Sequence, residues 1–175
     1  PFFLLDAQFS RRTKPLVIAG PAGIGMRLTQ VMEALFENAS KTQQKYELSV
    51  VSLEPERTVR FGGVSVTPYP VIHGESGGPF LGYRIEAEGR TVAYSADTEW
   101  TDALIPLGRE ADLFIAEAYT YDKLVKNHLS LSALQAHLDD IAPKRLVLTH
   151  MSDDMLSRLD TLSHTAAHDG MSIAL

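Results

Sequence analysis

Three segments of this chain each read as a short apolar strand that runs into an ionisable residue. They are VTPYPVIHG, which carries His73, RTVAYSADT, which carries Asp97, and KRLVLTH, which ends at His150. Each run favours burial in a sheet, and each delivers one potential metal ligand at the carboxyl end of its strand, where the chain leaves the sheet. The pattern therefore predicts a metal site on the rim of a sheet.

The residue types suit that chemistry. Neutral imidazole and carboxylate bind zinc, manganese or iron at about 2.0–2.2 Å, and a catalytic site also keeps a position open for water. A divalent metal lowers the pKa of that water toward roughly 7. A lone histidine after a strand is more often packed or solvated, and a lone aspartate there more often caps a turn or helix. The combination of three such residues favours the metal site.

Six segments, taken in order, resemble a known family. They are LVIAGPAGI at 16–24, VIHGESGGPFLGYRI at 71–85, VAYSADT at 92–98, IAEAY at 115–119, HLSLSAL at 128–134 and LVLTHMS at 146–152. The chain resembles the metallo-β-lactamase-fold hydrolases, and within them the branch of ribonuclease Z and related phosphodiesterases. The resemblance implies an α/β fold of the αββα sandwich type, with mixed and antiparallel sheets and outer helices.

The resemblance also implies roles for individual residues. In such enzymes the positions of His73 and His150 each bind one metal, and the position of Asp97 bridges two metals. His128 lies where the family has a histidine that protonates the departing oxygen, although the family's His-Ser-Thr reads His-Leu-Ser here. Histidine suits proton transfer because its pKa lies near neutrality. The alternative for His128 is a loop histidine that precedes a helix capped by Ser130 or Ser132.

One motif of the resembled family is missing from the 175 residues. The string His-x-His-x-Asp-His does not occur, and the first histidine is His73. In the family a segment like PFFLLDAQF follows that motif within a few residues. We therefore expect residues 1–175 to form a single domain that is the C-terminal two-thirds of a longer protein, incomplete at its N-terminus. The intact protein is expected to hold two divalent metals, zinc by preference, with manganese or iron as alternatives.

Charge and composition limit the classes of partner that we expect the chain to bind. The formal net charge is −6, with 22 acidic against 16 basic residues and no dense basic run, so nucleic acid is disfavoured without being excluded. No apolar stretch approaches the roughly 20 residues that span a bilayer, so no membrane is expected. There is no cysteine, hence no disulfide and no thiolate ligand. The expected compartment is the cytoplasm, and the expected substrate is a small-molecule ester or phosphodiester. A homodimer is left open as a possibility.

These features predict a metal-dependent hydrolase that uses a metal-bound hydroxide on a phosphodiester or small ester. Only thirteen residues separate Tyr83 from Asp97, and Ala96 replaces the family's glycine. Both departures favour a small substrate over precursor tRNA, so a tRNA 3′-processing endonuclease is the least favoured alternative. Two others stay open: a lactone or thioester hydrolase, and a non-catalytic binding domain that has lost the first metal motif.

Hydrophobic spacing adds predictions for secondary structure. Residues 24–39 are predicted as a helix whose buried face carries Met26, Val31, Leu35 and Phe36. An antiparallel meander follows, with turns at Gly62-Gly63 and Glu88-Gly89. The last third should alternate: strand 112–116, helix 130–141, strand 145–149 and helix 153–168. The last helix would place His164 and His168 on one solvated face.

Overall fold

A computed structural model describes all residues from Pro1 to Leu175. The chain divides into two compact units, Pro1–Glu54 and Pro55–Leu175. Each unit has its own buried apolar cluster. The candidate ligands predicted from the sequence all lie in the second unit, so the first unit is described only briefly.

The first unit is a β-α-β arrangement preceded by a helix. Its elements are α1 (Phe2–Phe9), β1 (Leu16–Gly20), α2 (Ile24–Leu35), a 3₁₀ turn (Ala39–Lys41) and β2 (Leu48–Ser52). Strands β1 and β2 pair in parallel, from Leu16 opposite Leu48 to Gly20 opposite Ser52. The apolar run at 16–20 thus forms one strand of a parallel pair.

Helix α2 begins at the predicted residue, but its end and its buried face differ from the prediction. It ends at Leu35, and Met26 and Leu35 are 63% and 50% exposed. Met32 is the buried residue of this helix, and Leu28 and Phe36 pack against the same cluster. These three residues follow one another at four-residue spacing, which places them along one side of the helix. The sequence offers apolar residues on more than one side, so spacing alone could not select the inner one.

The second unit is built on one mixed sheet of seven strands. In spatial order these are β3 (Val59–Phe61), β4 (Val64–Pro70), β5 (Leu81–Ala87), β6 (Arg90–Tyr94), β7 (Leu113–Glu117), β8 (Leu146–Thr149) and β9 (Thr165–Ala166). Strands β3 to β6 pair in antiparallel fashion, and β6 to β9 pair in parallel. The predicted meander is confirmed, with its turns at Gly62-Gly63 and Glu88-Gly89.

Four short helices accompany this sheet: α3 (Leu104–Gly108), α4 (Leu131–Gln135), α5 (Leu138–Ile141) and α6 (Asp153–Leu156). The single helix predicted at 130–141 is interrupted between α4 and α5. Its predicted start is confirmed, because the Ser130 hydroxyl accepts a hydrogen bond from the Ala133 N–H at 3.3 Å. At the interruption, the His137 ring stacks on Trp100 with 3.8 Å between the ring centroids. That tertiary contact is invisible to helical spacing.

The predicted helix at 153–168 is wrong. Only Asp153–Leu156 is α-helical, a 3₁₀ turn follows at Leu159–Thr161, and Thr165–Ala166 forms β9 beside β8. His164 and His168 therefore flank a short strand and do not share a helix face. Pairing with β9 satisfies backbone groups along part of β8 that would otherwise be open, and this gain depends on the sheet rather than on local sequence.

The core of the second unit joins the central strands to the helices. Fully buried members include Ala93, Phe114 and Leu148 of the sheet, with Leu104, Leu107, Leu134, Ile141 and Met155 of the helices. None of the helices in the structure is both long and apolar enough to cross a membrane.

The directions of the strands decide where polar residues meet. Strand β5 is antiparallel to both β4 and β6, so β4 and β6 run the same way, and β7 and β8 are parallel to β6. The carboxyl ends of β4, β6, β7 and β8 therefore meet at one edge of the sheet.

Candidate metal centre

This edge carries one ionisable residue from each of the four strands. His73 lies three residues after the end of β4, Asp97 three residues after β6, and His150 directly after β8. Glu117 is the last residue of β7. The structure thus brings together the three residues that the sequence predicted as ligands, and adds a glutamate.

Asp97 lies between the two histidines. Its Oδ2 atom is 3.9 Å from Nε2 of His73, and its Oδ1 atom is 3.4 Å from Nδ1 of His150. Two ligand atoms bound at about 2.1 Å in tetrahedral geometry lie about 3.4 Å apart. Each oxygen of Asp97 could therefore share an ion with a different imidazole, which is what a bridging carboxylate requires. The three side chains are 31–35% exposed, so the centre is open to solvent.

A backbone carbonyl fixes the tautomer of His73. Its Nδ1 atom lies 2.9 Å from the carbonyl oxygen of Asn127. Because a carbonyl oxygen only accepts hydrogen bonds, Nδ1 carries the proton, and the lone pair of Nε2 is left to bind a metal. This is the usual arrangement of a metal-binding histidine whose second nitrogen is held by the protein.

Two residues of the centre have left-handed backbone conformations. The φ angle is +56° at Ala96, next to Asp97, and +52° at His150. Such angles are unfavourable for residues with a side chain and concentrate at functional sites. Ala96 occupies the position where the resembled family has glycine. Ala96 nevertheless adopts the conformation that glycine favours.

Glu117 is a buried carboxylate whose hydrogen bonds are satisfied. Its side chain is 1% exposed. Oε2 accepts hydrogen bonds from the backbone N–H groups of Thr98 at 2.7 Å and Leu129 at 3.2 Å. Oε1 lies 2.5 Å from Nδ1 of His128. A buried carboxylate held in this way stays in one orientation and holds the imidazole with it.

Glu117, His128 and His150 also form a group that could hold a metal, with ligand atoms within 4.8 Å of one another. The 2.5 Å separation between Glu117 and His128 argues against that use, because two ligand atoms on one ion at about 2.1 Å lie about 3 Å or more apart. The short distance is that of a charge-assisted hydrogen bond. Glu117 and His128 therefore form a hydrogen-bonded pair, and Nε2 of His128 is free.

The pair lies beside the candidate ligands. The His128 ring is 5.2 Å from that of His73 and 5.3 Å from that of His150, between centroids. Tyr119 stacks on His128 at 4.3 Å and an interplanar angle of 23°. The residues thus form one constellation of candidate ligands with an oriented imidazole next to them.

Sequence reasoning missed Glu117, although its signal was present. The segment IAEAY places one acidic residue at the end of an otherwise apolar strand, the same pattern that singled out the other three residues. The remaining histidines lie elsewhere: His137 stacks on Trp100, His164 lies 3.3 Å from the Gln135 amide nitrogen, and the ring of His168 contacts the Asp169 carbonyl.

The donor set fits the metals expected from the sequence. Two imidazoles and a carboxylate suit zinc, manganese or iron, and the choice among these depends on geometry and supply. With Asp97 as a bridge, the three residues supply one imidazole and one carboxylate oxygen to each of two ions, and further ligands would complete each coordination shell.

Residues 4–151 match the beta-lactamase superfamily domain. The chain belongs to this family. It is 26% identical over 144 residues to the probable metallo-hydrolase YhfI of Bacillus subtilis, covering 79% of this chain and 52% of that protein. It is also 26% identical over 203 residues to ribonuclease Z of Methanosarcina acetivorans, covering 87% of this chain and 65% of that protein. The chain thus spans between half and two-thirds of the length of these curated relatives.

The fold is that of the same family. The crystal structure of the short form of human tRNase Z matches with a TM-score of 0.73 at 22% identity, covering 99% of this chain and 72% of that chain. These comparisons confirm the family that the sequence resembles and the predicted α/β fold class of the metallo-β-lactamase type. The class of enzyme predicted from the sequence is also the class named for the relatives, a metallo-hydrolase and a ribonuclease.

Proposed function

We propose that the protein is a metal-dependent hydrolase of phosphodiesters or small esters. In this proposal His73, Asp97 and His150 are metal ligands, and His128 is the proton donor. One observation carries it: Asp97 presents one oxygen to each of two histidines, next to an imidazole that is held by a buried glutamate. The proposal includes two divalent metals in the whole protein, zinc by preference, with manganese or iron as alternatives. Bound there, such metals would activate water and polarise the scissile ester.

The residues of this chain would orient the metals and move the proton. The Asn127 carbonyl keeps the Nε2 lone pair of His73 available as a ligand. Glu117 holds Nδ1 of His128, so a proton given up by this ring leaves from Nε2. The carboxylate also balances the charge of the protonated ring, as the aspartate does in a Ser-His-Asp triad. Delivery of that proton to the departing oxygen is the step assigned to His128.

The substrate class is inferred from chemistry and from the relatives. One relative is named a ribonuclease, and ribonucleases cleave phosphodiesters. The chain itself carries a net charge of −6 and no dense basic run. Affinity for nucleic acid depends largely on lysine and arginine contacts to phosphates, so a small diester suits this chain better than a polynucleotide.

The test combines metal content with turnover. Elemental mass spectrometry would give the metal bound per chain, and bis(4-nitrophenyl) phosphate and 4-nitrophenyl acetate would be assayed with zinc, manganese and iron. We expect metal-dependent release of nitrophenol, faster from the phosphodiester. Preference for the acetate would favour an ester, lactone or thioester substrate. A folded protein that hydrolyses neither compound, with or without bound metal, would favour a binding domain.

His150→Ala tests the ligand assignment, with His168→Ala as the matched control because His168 is exposed outside the centre. The first variant should lose metal and turnover while its circular dichroism and unfolding stay close to wild type. The second should behave as wild type throughout. Normal turnover by a folded His150→Ala protein would contradict the assignment.

A further inference from the structure

A cavity of about 260 Å³ adjoins His128, and the metal chemistry described above assigns no role to it. None of the three candidate ligands lines it. Its walls include His128, Trp100, Leu124, Val125, Lys126 and Ala133. Most of this lining is apolar, which is typical of a pocket for an organic group.

Hydrogen bonds hold the walls in place. The Asn127 N–H donates to Oε1 of Glu99 at 2.7 Å, which ties the loop before α4 to the turn that follows Asp97. Within the loop, the His128 N–H donates to the Val125 carbonyl at 3.1 Å. The cavity is therefore formed before any ligand arrives, and a ligand would not have to order the loop itself.

Trp100 lines the cavity with its ring held in one orientation. One face of Trp100 stacks on His137 at an interplanar angle of 8°, which fixes the plane of the indole. Leu124 also lines the cavity and is 87% exposed. A fixed indole and an exposed leucine in the same lining favour a planar apolar group, because aromatic rings gain from stacking as well as from burial.

The charges at the cavity disfavour an anion. Nζ of Lys126 lies 2.6 Å from Oε1 of Glu75, so its charge already has a partner. Glu99 is the one carboxylate in the lining itself. With two carboxylates near one lysine, a phosphorylated group would meet net negative charge, and a neutral group is preferred.

The position of His128 assigns a role to this space. The inference rests on the proposed hydrolase function, in which Nε2 of His128 gives its proton to the departing oxygen. The substituent on that oxygen must then lie beside His128, in space that the candidate ligands do not fill. We propose that the cavity holds the leaving alcohol of the substrate and selects a neutral, planar alcohol such as an arylmethanol or a nucleoside.

Binding can be measured without catalysis, because Trp100 is the only tryptophan of the chain. Its emission, excited near the red edge of indole absorption in metal-free protein, would be titrated with two matched pairs of probes. Benzyl alcohol is compared with cyclohexylmethanol, which is not planar, and adenosine with ribose, which lacks the base. We expect saturable changes with benzyl alcohol or adenosine and weaker binding of each counterpart. Saturation by adenosine alone would assign a nucleoside, and saturation by benzyl alcohol alone an arylmethanol.

Leu124→Ser removes an apolar side chain from the lining of the cavity. Because Leu124 is exposed, the variant should fold. It should weaken binding of the planar probe about five- to tenfold, since burial of part of a leucine contributes on the order of 1 kcal/mol. Leu156→Ser, at a leucine that is 47% exposed and does not line the cavity, is the matched control and should bind as wild type.

Benzyl methyl phosphate tests the leaving-group role in the zinc-loaded protein. Water adds its oxygen to phosphorus, the P–O bond to the benzyl oxygen breaks, and that oxygen takes the proton from His128. The products are methyl phosphate and benzyl alcohol. We expect benzyl alcohol to exceed methanol among the products, and the ratio to fall several-fold in Leu124→Ser but not in Leu156→Ser.

The outcomes separate the two proposals. Hydrolysis with no saturable binding, or with a product ratio that Leu124→Ser leaves unchanged, would overturn the leaving-group pocket and leave the hydrolase proposal standing. Binding of the planar probes with no hydrolysis under any metal would overturn the hydrolase proposal and the leaving-group role together, and would leave a ligand pocket.

Discussion

The Nδ1 atom of His73 lies 2.9 Å from the carbonyl oxygen of Asn127, 54 residues further along the chain. The Asn127 N–H donates to the carboxylate of Glu99, and the Glu99 N–H donates to the carbonyl of Ile72 at 2.8 Å. Asn127 itself has a φ of +69°. Glu99 thus links Ile72, the residue before His73, to the turn at Asn127 that orients the His73 ring. Glu99 is therefore a positioning residue for a candidate ligand.

Glu99→Ala should weaken zinc binding about 10- to 100-fold, the usual effect of removing a partner that orients a ligand. Glu99→Gln should keep most of the affinity, because an amide oxygen can also accept the Asn127 N–H. Competition with a chromophoric chelator measures both. Equal zinc affinity of Glu99→Ala and wild type would show that the turn holds its position without this carboxylate.

Glu117→Gln should lower turnover by about 10²- to 10⁴-fold, the usual contribution of a positioned acid or base. The amide oxygen can still accept from the Thr98 and Leu129 N–H groups, so the fold should persist. The amide NH₂ would then face Nδ1 of His128, and the protonated ring would lose its counter-charge.

Zinc affinity of the same variant distinguishes the two possible uses of Glu117. If Glu117 acts through His128, zinc affinity stays close to wild type while turnover falls. If Glu117 is itself a ligand in the group with His128 and His150, zinc affinity falls as well. Glu47→Gln, at an exposed glutamate of the first unit, is the control and should change neither.

Ala96→Gly should raise the free energy of unfolding of the metal-free protein by about 0.5–1 kcal/mol. A residue with a side chain in the left-handed conformation costs roughly 1–2 kcal/mol, and substitution by glycine removes that cost. Part of the gain is lost, because glycine has greater conformational freedom in the unfolded chain. Ala136→Gly is the matched control, because Ala136 has an ordinary φ of −61°. It should lower stability by about 0.5–1 kcal/mol. Urea unfolding compares the two, and an equal loss in both variants would contradict the strain argument.

The sequence predicted His73, Asp97 and His150 because each follows a strand that is apolar enough to be recognised alone. The strand directions then bring them together, and this follows from pairing in the sheet rather than from any local signal. Glu117 carries the same pattern, but its partner His128 is eleven residues away, and only the folded loop shows the 2.5 Å contact. The role of an acidic residue depends on what it touches, which spacing does not reveal.

The errors in secondary structure have a related cause. The segment after Ser152 has the polar and small residues of a surface helix, yet two of its residues, Thr165 and Ala166, pair with β8. Helix α2 offers apolar residues on several sides, and only packing shows that Met32 is the buried one. In both cases tertiary contacts outweigh local propensity, which is a weak guide for short or mixed segments.

Asp112 lies at the edge of the sheet opposite the candidate metal centre, and its charge makes stability depend on pH in the acid range. The Lys144 ammonium, with the Thr91 N–H and the Arg90 guanidinium, lowers the pKa of Asp112 from 3.8 to about 2. Its carboxylate lies 2.9 Å from Nζ of Lys144 and 2.8 Å from the Thr91 nitrogen. Arg90, Asp112 and Lys144 lie at or just before the starts of β6, β7 and β8, so the cluster ties three neighbouring strands together.

Because the folded pKa lies below the unfolded one, the stabilisation is complete above the unfolded value and is lost as pH falls toward about 2. Asp112→Asn should therefore lower the free energy of unfolding of metal-free protein by a constant amount from about pH 5 to 7, and the difference from wild type should shrink as pH falls below about 4. Urea unfolding across this range measures it, with Asp122→Asn, at an exposed aspartate, as control. Zinc affinity at pH 7 should be unchanged, because the cluster and the candidate ligands occupy opposite ends of the same strands. A difference that stays constant down to pH 2.5 would mean that Asp112 acts through its hydrogen bonds and not through its charge.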